Sequence, residues 1–192
     1  MKIYIDVDGT VVDTPSAMAT WYNKKYNGNA VGSKIFEWDA QDQCPKLTKT
    51  DLVDLFEDDY FFDNLHPIKD AQDILHRMSK FPGYDFSFCS IGTAGNLRKK
   101  EMYLKKHFPF IKKYVMIEKE YVEMGKDGYV NDGLLVDDNK YNLDGSAKYE
   151  VLFKPDGDKQ WNIGYRGIVA TNWIQVANCI YQLYNKEFAN VI

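Results

Sequence analysis

Residues 2–10 read KIYIDVDGT, and the prediction of the fold starts from this stretch. Its apolar residues predict a buried strand over residues 2–7, which opens directly into the turn residues Asp8-Gly9-Thr10. Asp6 and Asp8 stand two residues apart on an extended segment, so their carboxylates face the same side. Carboxylates at the end of a buried strand are costly unless a cation neutralises them. The stretch therefore predicts a charged site, although Asp8-Gly9 alone is also ordinary turn chemistry.

Further strand patterns alternate with helical patterns along the chain. Strands are expected near residues 84–89, 114–117, 134–136, 149–153 and 167–170. Apolar residues at three- and four-residue spacing predict helices at residues 68–78 and 97–108, and a last helix with Asn172 as its N-cap. This alternation predicts an α/β, Rossmann-like fold with a mostly parallel sheet covered on both faces. In such sheets the ligand binds at the carboxyl ends of the strands.

Residues 15–66 interrupt this alternation, because they have no clear strand and two helical patterns. The first pattern ends near Gly28, and the second runs from Thr48 to Asp59. Thr48 and Asp51 predict a capping box at the start of the second pattern. We therefore expect a core formed by residues 1–14 and 67–192, with a small helical cap at residues 15–66 inserted after the first strand.

Two other predicted strands also end in polar residues. Ser90 closes the apolar run FSFCS, and Asp137 and Asp138 follow Leu134-Leu135-Val136. Carboxylate oxygens are suitable ligands for Mg²⁺, and the Ser90 hydroxyl is suited to a phosphate oxygen. A Ca²⁺-binding EF-hand loop is excluded, because Gly9 comes too early and no Glu stands at the closing position.

Composition and charge restrict the class of partner. With 192 residues and 45% of them hydrophobic, the chain is long enough for one sizeable α/β domain. A net charge of −4 and a pI of about 5.4 argue against a groove for long nucleic acids. No apolar run is long enough to cross a bilayer, and an acidic residue at position 6 interrupts any signal-peptide core. We therefore expect a cytoplasmic protein without a membrane partner, and the sequence leaves a homodimer open.

Cysteines and exposed lysines give no further site. Three widely spaced cysteines indicate neither a disulfide framework nor a zinc site. The helix expected at residues 97–108 carries lysines opposite its apolar face, and a solvated surface is the simplest interpretation. These lysines are Lys99, Lys100, Lys105 and Lys106.

The run from Asp6 to Thr10 resembles the first signature, D-x-D-G-T, of the haloacid-dehalogenase-like (HAD) phosphohydrolase superfamily. Ser90 matches the second signature, a Ser or Thr that closes an apolar strand, and Asp137-Asp138 matches the fourth. The third signature is a single lysine upstream of the fourth, for which Lys126 is our choice and Lys119 the competitor. These motifs span residues 6–138 in the order that the superfamily requires.

A narrower resemblance links the chain to the 5′(3′)-deoxyribonucleotidase, or type C 5′-nucleotidase, family. It is carried by FFDNLHPI at residues 61–68, FCS at 88–90 and LVDDN at 135–139. The chain departs from the family pattern between the third strand and the lysine, where residues 118–125 form a longer stretch. That departure affects which lysine matches the third signature, and it affects part of the rim of the substrate pocket.

The resemblance implies a Mg²⁺-dependent phosphatase that acts on a small phosphomonoester. Asp6 would be the nucleophile that forms an aspartyl-phosphate, and Asp8 the general acid and base. The metal would be held by Asp6, the backbone carbonyl of Asp8, and the Asp137-Asp138 pair. Ser90 and Lys126 would bind the phosphate oxygens. Three aromatic residues of the expected cap would bind a nucleobase: Phe36, Trp38 and Phe62.

Nucleoside monophosphates, particularly deoxyribonucleotides, are the expected substrates. One alternative keeps the chemistry but makes the protein a phosphatase or phosphomutase for sugar phosphates or other small phosphometabolites. A phosphatase acting on nucleic-acid ends fits less well, because the chain lacks a basic stripe. A catalytically silent binding module would be expected to lose Asp6 or Asp8, and both are present.

Overall fold

The computed structural model describes residues 1–119 and 125–188 of the chain. Its centre is a sheet formed by β1 (Lys2–Ile5), β2 (Asp85–Gly92), β3 (Lys113–Glu118), β4 (Leu134–Asp137), β5 (Tyr149–Phe153) and β6 (Ile168–Ala170). The strand order is β3-β2-β1-β4-β5-β6, and all neighbouring pairs are parallel. This topology confirms the predicted Rossmann-like α/β fold. Among the described residues, no helix is both long and apolar enough to cross a membrane.

The described α-helices are α1 (Thr14–Tyr26), α2 (Lys49–Leu55), α3 (Asp59–Asp63), α4 (Ala71–Met78), α5 (Ala94–His107) and α6 (Trp173–Phe188). All of them except α4 begin where a side chain accepts a hydrogen bond from a free backbone N–H group. Asp13 caps α1, and Thr93 caps α5. The Asn172 side chain accepts a hydrogen bond from the Gln175 N–H at 3.0 Å, as expected for the predicted N-cap of α6.

Residues 14–66 contribute no strand to the sheet and contain α1, α2 and α3. The predicted capping box is present, since Thr48 and Asp51 each accept a hydrogen bond from the other's backbone N–H. The second helical pattern is split into two helices, because α2 ends at Leu55 and the Asp58 side chain starts a new helix. We refer to residues 14–66 as the insert.

The central strands of the sheet are buried on both faces, whereas β6 and β3 at its edges are partly exposed. Ile3 and Ile5 of β1 face a core that includes Leu75 of α4, Leu104 of α5 and Trp173 of α6. The alternate residue Tyr4 faces a smaller cluster that includes Val130 and Leu143, from the connections before and after β4. Ile5 pairs with Val136 of β4 and Phe88 of β2, so the residues that follow these strands emerge close together.

Candidate active site

The loop after β1 places Asp6 and Asp8 at the carboxyl ends of the central strands. The Asp6 N–H donates to the Val136 carbonyl at 2.9 Å, which holds this residue beside β4. Gly9 then turns the chain with a φ of +65°, and a Cβ at this position would lie 2.3 Å from Oδ2 of Asp138. A glycine is therefore required both for the turn and for the close approach of the Asp138 carboxylate.

Lys126 lies between two of the predicted carboxylates. Its Nζ is 2.5 Å from Oδ1 of Asp6 and 2.6 Å from Oδ2 of Asp137, and its side chain is fully buried. Asp137 also accepts hydrogen bonds from the Asn139 N–H at 2.8 Å and from the Asn142 amide at 3.0 and 3.2 Å. We call Asp6, Lys126 and Asp137 the closed lysine cluster.

Asp138 completes an acidic group at the same carboxyl ends of the strands. One carboxylate oxygen from each of Asp6, Asp137 and Asp138 lies within 4.8 Å of the others. The indole N–H of Trp161 donates to Oδ2 of Asp138 at 2.7 Å. Trp161 belongs to the connection between β5 and β6, and no motif in the sequence marked it.

The acidic group carries more negative charge than the Lys126 ammonium can balance. Burial and mutual repulsion therefore disfavour the ionised form of its carboxyl groups. Burial raises the pKa of Asp6 to about 7, with Asp137 and Asp8 adding to the shift and Lys126 opposing it. Burial also raises the pKa of Asp138, helped by the charges of Asp6 and Asp137. Burial works to lower the pKa of Lys126, but attraction to Asp137 and Asp6 outweighs it, so that pKa is raised and the ammonium stays charged. The donor set therefore fits a divalent cation, for which oxygen ligands are preferred.

A second buried lysine was assigned wrongly from the sequence. Lys100 is 3% exposed, and its Nζ donates to the Ser90 hydroxyl at 2.9 Å and forms an ion pair with Asp8. Thr14 donates to the other oxygen of Asp8 at 2.9 Å. We call Asp8, Lys100 and Ser90 the open lysine cluster, because 31% of the Asp8 side chain is exposed.

The helical period contained a signal for Lys100. It lies three residues after Leu97 and four before Leu104, both of which are buried, so it belongs to the apolar stripe of α5. Lys105 lies on the outer side, where it pairs with Glu101 and 60% of its side chain is exposed. The prediction of a solvated surface therefore holds for Lys105 and is wrong for Lys100.

Of the two candidates for the motif lysine, Lys126 reaches the acidic group, whereas Lys119 follows the end of β3 and is exposed. The longer stretch noted at residues 118–125 lies in part outside the described residues.

The three aromatic candidates lie in two places. Trp38 is 64% exposed and its ring meets that of Trp161 edge-on, with 5.8 Å between centroids. Phe36 is 43% exposed, and its carbonyl accepts a hydrogen bond from the Gln160 N–H at 2.9 Å. Phe62 lies on α3, where it packs edge-on against Phe61 and has the Lys99 ammonium 6.0 Å from its ring. The structure therefore places Phe36 and Trp38 beside the β5–β6 connection and Phe62 beside α5.

Solved structures of low sequence identity share the fold. A Clostridium difficile protein named as a phosphatase has 12% identity and a TM-score of 0.58, covering 93% of this chain and 97% of its own. A HAD-superfamily hydrolase of subfamily IA from Geobacter sulfurreducens has 10% identity and a TM-score of 0.56, covering 93% and 95%. A conserved haloacid dehalogenase-like protein from Agrobacterium tumefaciens has 12% identity and a TM-score of 0.56, covering 95% and 98%.

Sequence comparison identifies the family. No curated protein sequence matches the chain. The profile of the family described as "5' nucleotidase, deoxy (Pyrimidine), cytosolic type C protein" matches residues 1–188, which is nearly the whole chain. This match agrees with the fold and with the acidic group at the strand ends. The chain therefore belongs to this type C 5′-nucleotidase family and is a phosphoric monoester hydrolase with the HAD fold.

Proposed function

We propose that the protein hydrolyses nucleoside monophosphates, with deoxyribonucleotides preferred, through an aspartyl-phosphate on Asp6 and with Mg²⁺ as cofactor. The observation that carries the proposal is the position of Asp6 beside both the acidic group and Lys126. The family description, which names a deoxy, pyrimidine-directed 5′-nucleotidase, supports the choice of substrate.

In the first step the Asp6 carboxylate attacks phosphorus, and the bond from phosphorus to the leaving oxygen breaks. Asp8 donates a proton to that oxygen, so that the nucleoside leaves as an alcohol. The Ser90 hydroxyl and the ammonium groups of Lys100 and Lys126 stabilise the charge on the phosphoryl oxygens. Lys100 joins Lys126 in this role, because its Nζ lies against both Ser90 and Asp8.

In the second step Asp8, now ionised, accepts a proton from water. The water oxygen bonds to phosphorus, the bond between phosphorus and Asp6 breaks, and inorganic phosphate leaves. Asp8 suits both steps because part of its side chain is open to solvent and Lys100 and Thr14 fix its two oxygens.

Mg²⁺ fits the carboxylates of Asp6 and Asp138 best, together with the Asp8 carbonyl. Both oxygens of Asp137 already accept hydrogen bonds from Lys126, Asn139 and Asn142, so this residue is better suited to hold Lys126 in place. When bound, the cation would shield the Asp6 carboxylate from the phosphate anion that it approaches. In this proposal Asp137 is part of the acidic group, but Asp6 and Asp138 are the carboxylates that bind the cation.

We also propose that the insert acts as a cap, with Phe36 and Trp38 as stacking surfaces for the base. Large aromatic rings that remain this exposed suit a flat ligand, and stacking contributes roughly 1–3 kcal/mol per base. Phe62 would line the rim on the other side, next to Lys99.

Phosphate release from ribonucleotides, deoxyribonucleotides and sugar phosphates tests the proposal, with Mg²⁺ or EDTA present. We expect release from deoxyribonucleoside monophosphates that needs Mg²⁺ and falls by at least about 10⁴-fold in Asp6→Asn. Wild-type release confined to sugar phosphates would keep the chemistry and reject the base pocket. Full activity in Asp6→Asn would reject the covalent mechanism.

A further inference from the structure

Trp161 connects the proposed metal ligand to a distant part of the chain. It is 9% exposed, and its N–H binds Oδ2 of Asp138, a residue 23 positions earlier. Asp138 lies between this N–H and Gly9, whose missing Cβ leaves room for the carboxylate. Because Oδ2 already accepts the hydrogen bond from Trp161, Oδ1 has more free lone pairs for a cation.

Residues 159–161, the short segment that ends with Trp161, also contact the insert. Nζ of Lys159, a residue 6% exposed, donates to the carbonyls of Ser33 and Ile35 at 2.6 Å each. Gln160 binds the insert twice, through its N–H to the Phe36 carbonyl and through its Oε1 to the Trp38 N–H at 2.7 Å. The ring of Trp161 then meets the ring of Trp38 edge-on, with 79° between their planes.

We propose that Trp161 is a positioning residue that couples the metal site to the aromatic wall formed by Trp38. The inference rests on the proposed function, since it assigns Asp138 to Mg²⁺ and Trp38 to the base. The indole N–H fixes the orientation of Asp138, and the indole ring supports Trp38. Through Trp161, Mg²⁺ would therefore change the affinity for nucleotide by the same factor as nucleotide changes the affinity for Mg²⁺, because a coupling free energy between two sites is reciprocal.

Hydrogen bonds to metal-binding side chains have measurable consequences. Removing such an outer partner typically lowers metal affinity or activity about 10- to 100-fold. The effect of Trp161 is expected in this range, because it donates to a carboxylate that has few other fixed partners, whereas Asp137 has three residues around it.

Trp161→Phe is the variant that tests this role, because it keeps an aromatic ring and removes the N–H. We expect its Mg²⁺ affinity, measured by titration calorimetry without nucleotide, to fall about 10- to 100-fold. Trp21→Phe is the matched control, since Trp21 is also a buried tryptophan but lies on α1. Its Mg²⁺ affinity should equal that of the wild type.

A second measurement uses the wild type and so does not depend on the stability of a variant. The chain has four tryptophans, each with an indole N–H that NMR detects in a ¹⁵N-labelled sample. The Trp161 signal, assigned from the backbone and side-chain resonances of the wild type, should shift when Mg²⁺ saturates the protein. The Trp38 signal should shift with it, and the Trp21 signal should stay in place.

The outcomes separate this inference from the proposed function. If the wild type binds Mg²⁺ but Trp161→Phe binds it equally well, or the Trp161 signal does not move, the positioning role is wrong and the proposed metal site stands. If the wild type binds no Mg²⁺, the proposed metal dependence fails and this inference fails with it.

Discussion

The closed and the open lysine clusters use the same pair of charges in different surroundings. In the closed cluster, the side chains of Lys126 and Asp137 are fully buried and that of Asp6 is 9% exposed. In the open cluster, Lys100 is nearly as buried, but Asp8 has almost a third of its side chain in contact with solvent.

This difference indicates a division of roles. Charges that are sealed from water interact strongly and cannot exchange protons readily, which suits a fixed electrostatic role around the proposed nucleophile. A carboxylate at a solvent-facing position can exchange protons with water and leaving group, which suits a general acid and base. We therefore expect substitutions of Lys126 and Asp137, which surround the proposed nucleophile Asp6, to affect mainly folding and metal binding, and those in the open cluster to affect mainly turnover.

Apart from the loss of the proposed nucleophile in Asp6→Asn, the largest effect is expected for Asp8→Asn, which removes the proposed proton donor and leaves the closed cluster intact. Turnover of nucleoside monophosphates should fall about 10²- to 10⁴-fold, while Mg²⁺ affinity stays near that of the wild type. p-Nitrophenyl phosphate, whose leaving group needs no proton, should show a burst of nitrophenolate followed by slow turnover. An equal loss for both substrates without a burst would assign Asp8 another role.

Lys126→Met should have the next largest effect, on folding. The change leaves Asp6 and Asp137 as buried carboxylates without their ammonium partner, and losing one member of a buried ion pair costs about 3–5 kcal/mol. Chemical denaturation without metal measures this loss in the free energy of unfolding. Mg²⁺ should restore part of the stability, because it supplies positive charge to the same carboxylates.

Lys100→Met tests the open lysine cluster. We expect turnover to fall about 10²- to 10³-fold, as for loss of a group that stabilises transition-state charge. The loss of unfolding free energy should be smaller than in Lys126→Met, because Asp8 keeps contact with water. Lys105→Met on the same helix is the control and should retain turnover, since Lys105 is exposed. A stability loss as large as that of Lys126→Met would contradict the distinction between the clusters.

The smallest effect concerns pH and Mg²⁺. Burial raises the pKa of Asp6 to about 7 without metal, so protons compete with Mg²⁺ for this carboxylate below that pH. The Mg²⁺ affinity should therefore increase as pH rises through 7, by at most about tenfold per pH unit for each proton released. Calorimetry at pH 6, 7 and 8 measures this, and the slope should decrease in Asp6→Asn. An affinity that does not change with pH would show that Asp6 is already ionised.

Features encoded over a few residues were predictable from the sequence. The spacing of Asp6 and Asp8, the capping box of Thr48 and Asp51, and the N-cap Asn172 each depend on residues no more than three apart. Alternating strand and helix patterns also predicted the parallel sheet. The break between α2 and α3 was missed, because the helical pattern was continued to Asp59 although Asp58, a residue type favoured at N-caps, starts α3.

The sequence by itself thus determined the fold class, the family and the carboxylates that line the strand ends. The family resemblance already favoured Lys126, but only the tertiary structure showed its contacts and added Lys100 and Trp161 as partners of these carboxylates. Lys126 is 120 positions from Asp6, Lys100 is 92 from Asp8, and Trp161 is 23 from Asp138. Such contacts depend on the order of the strands and on the rotation of α5 against the sheet, and a local pattern contains neither. The helical period placed Lys100 in the apolar stripe of its helix, but its contacts with Asp8 and Ser90 became recognisable only when the helix was packed.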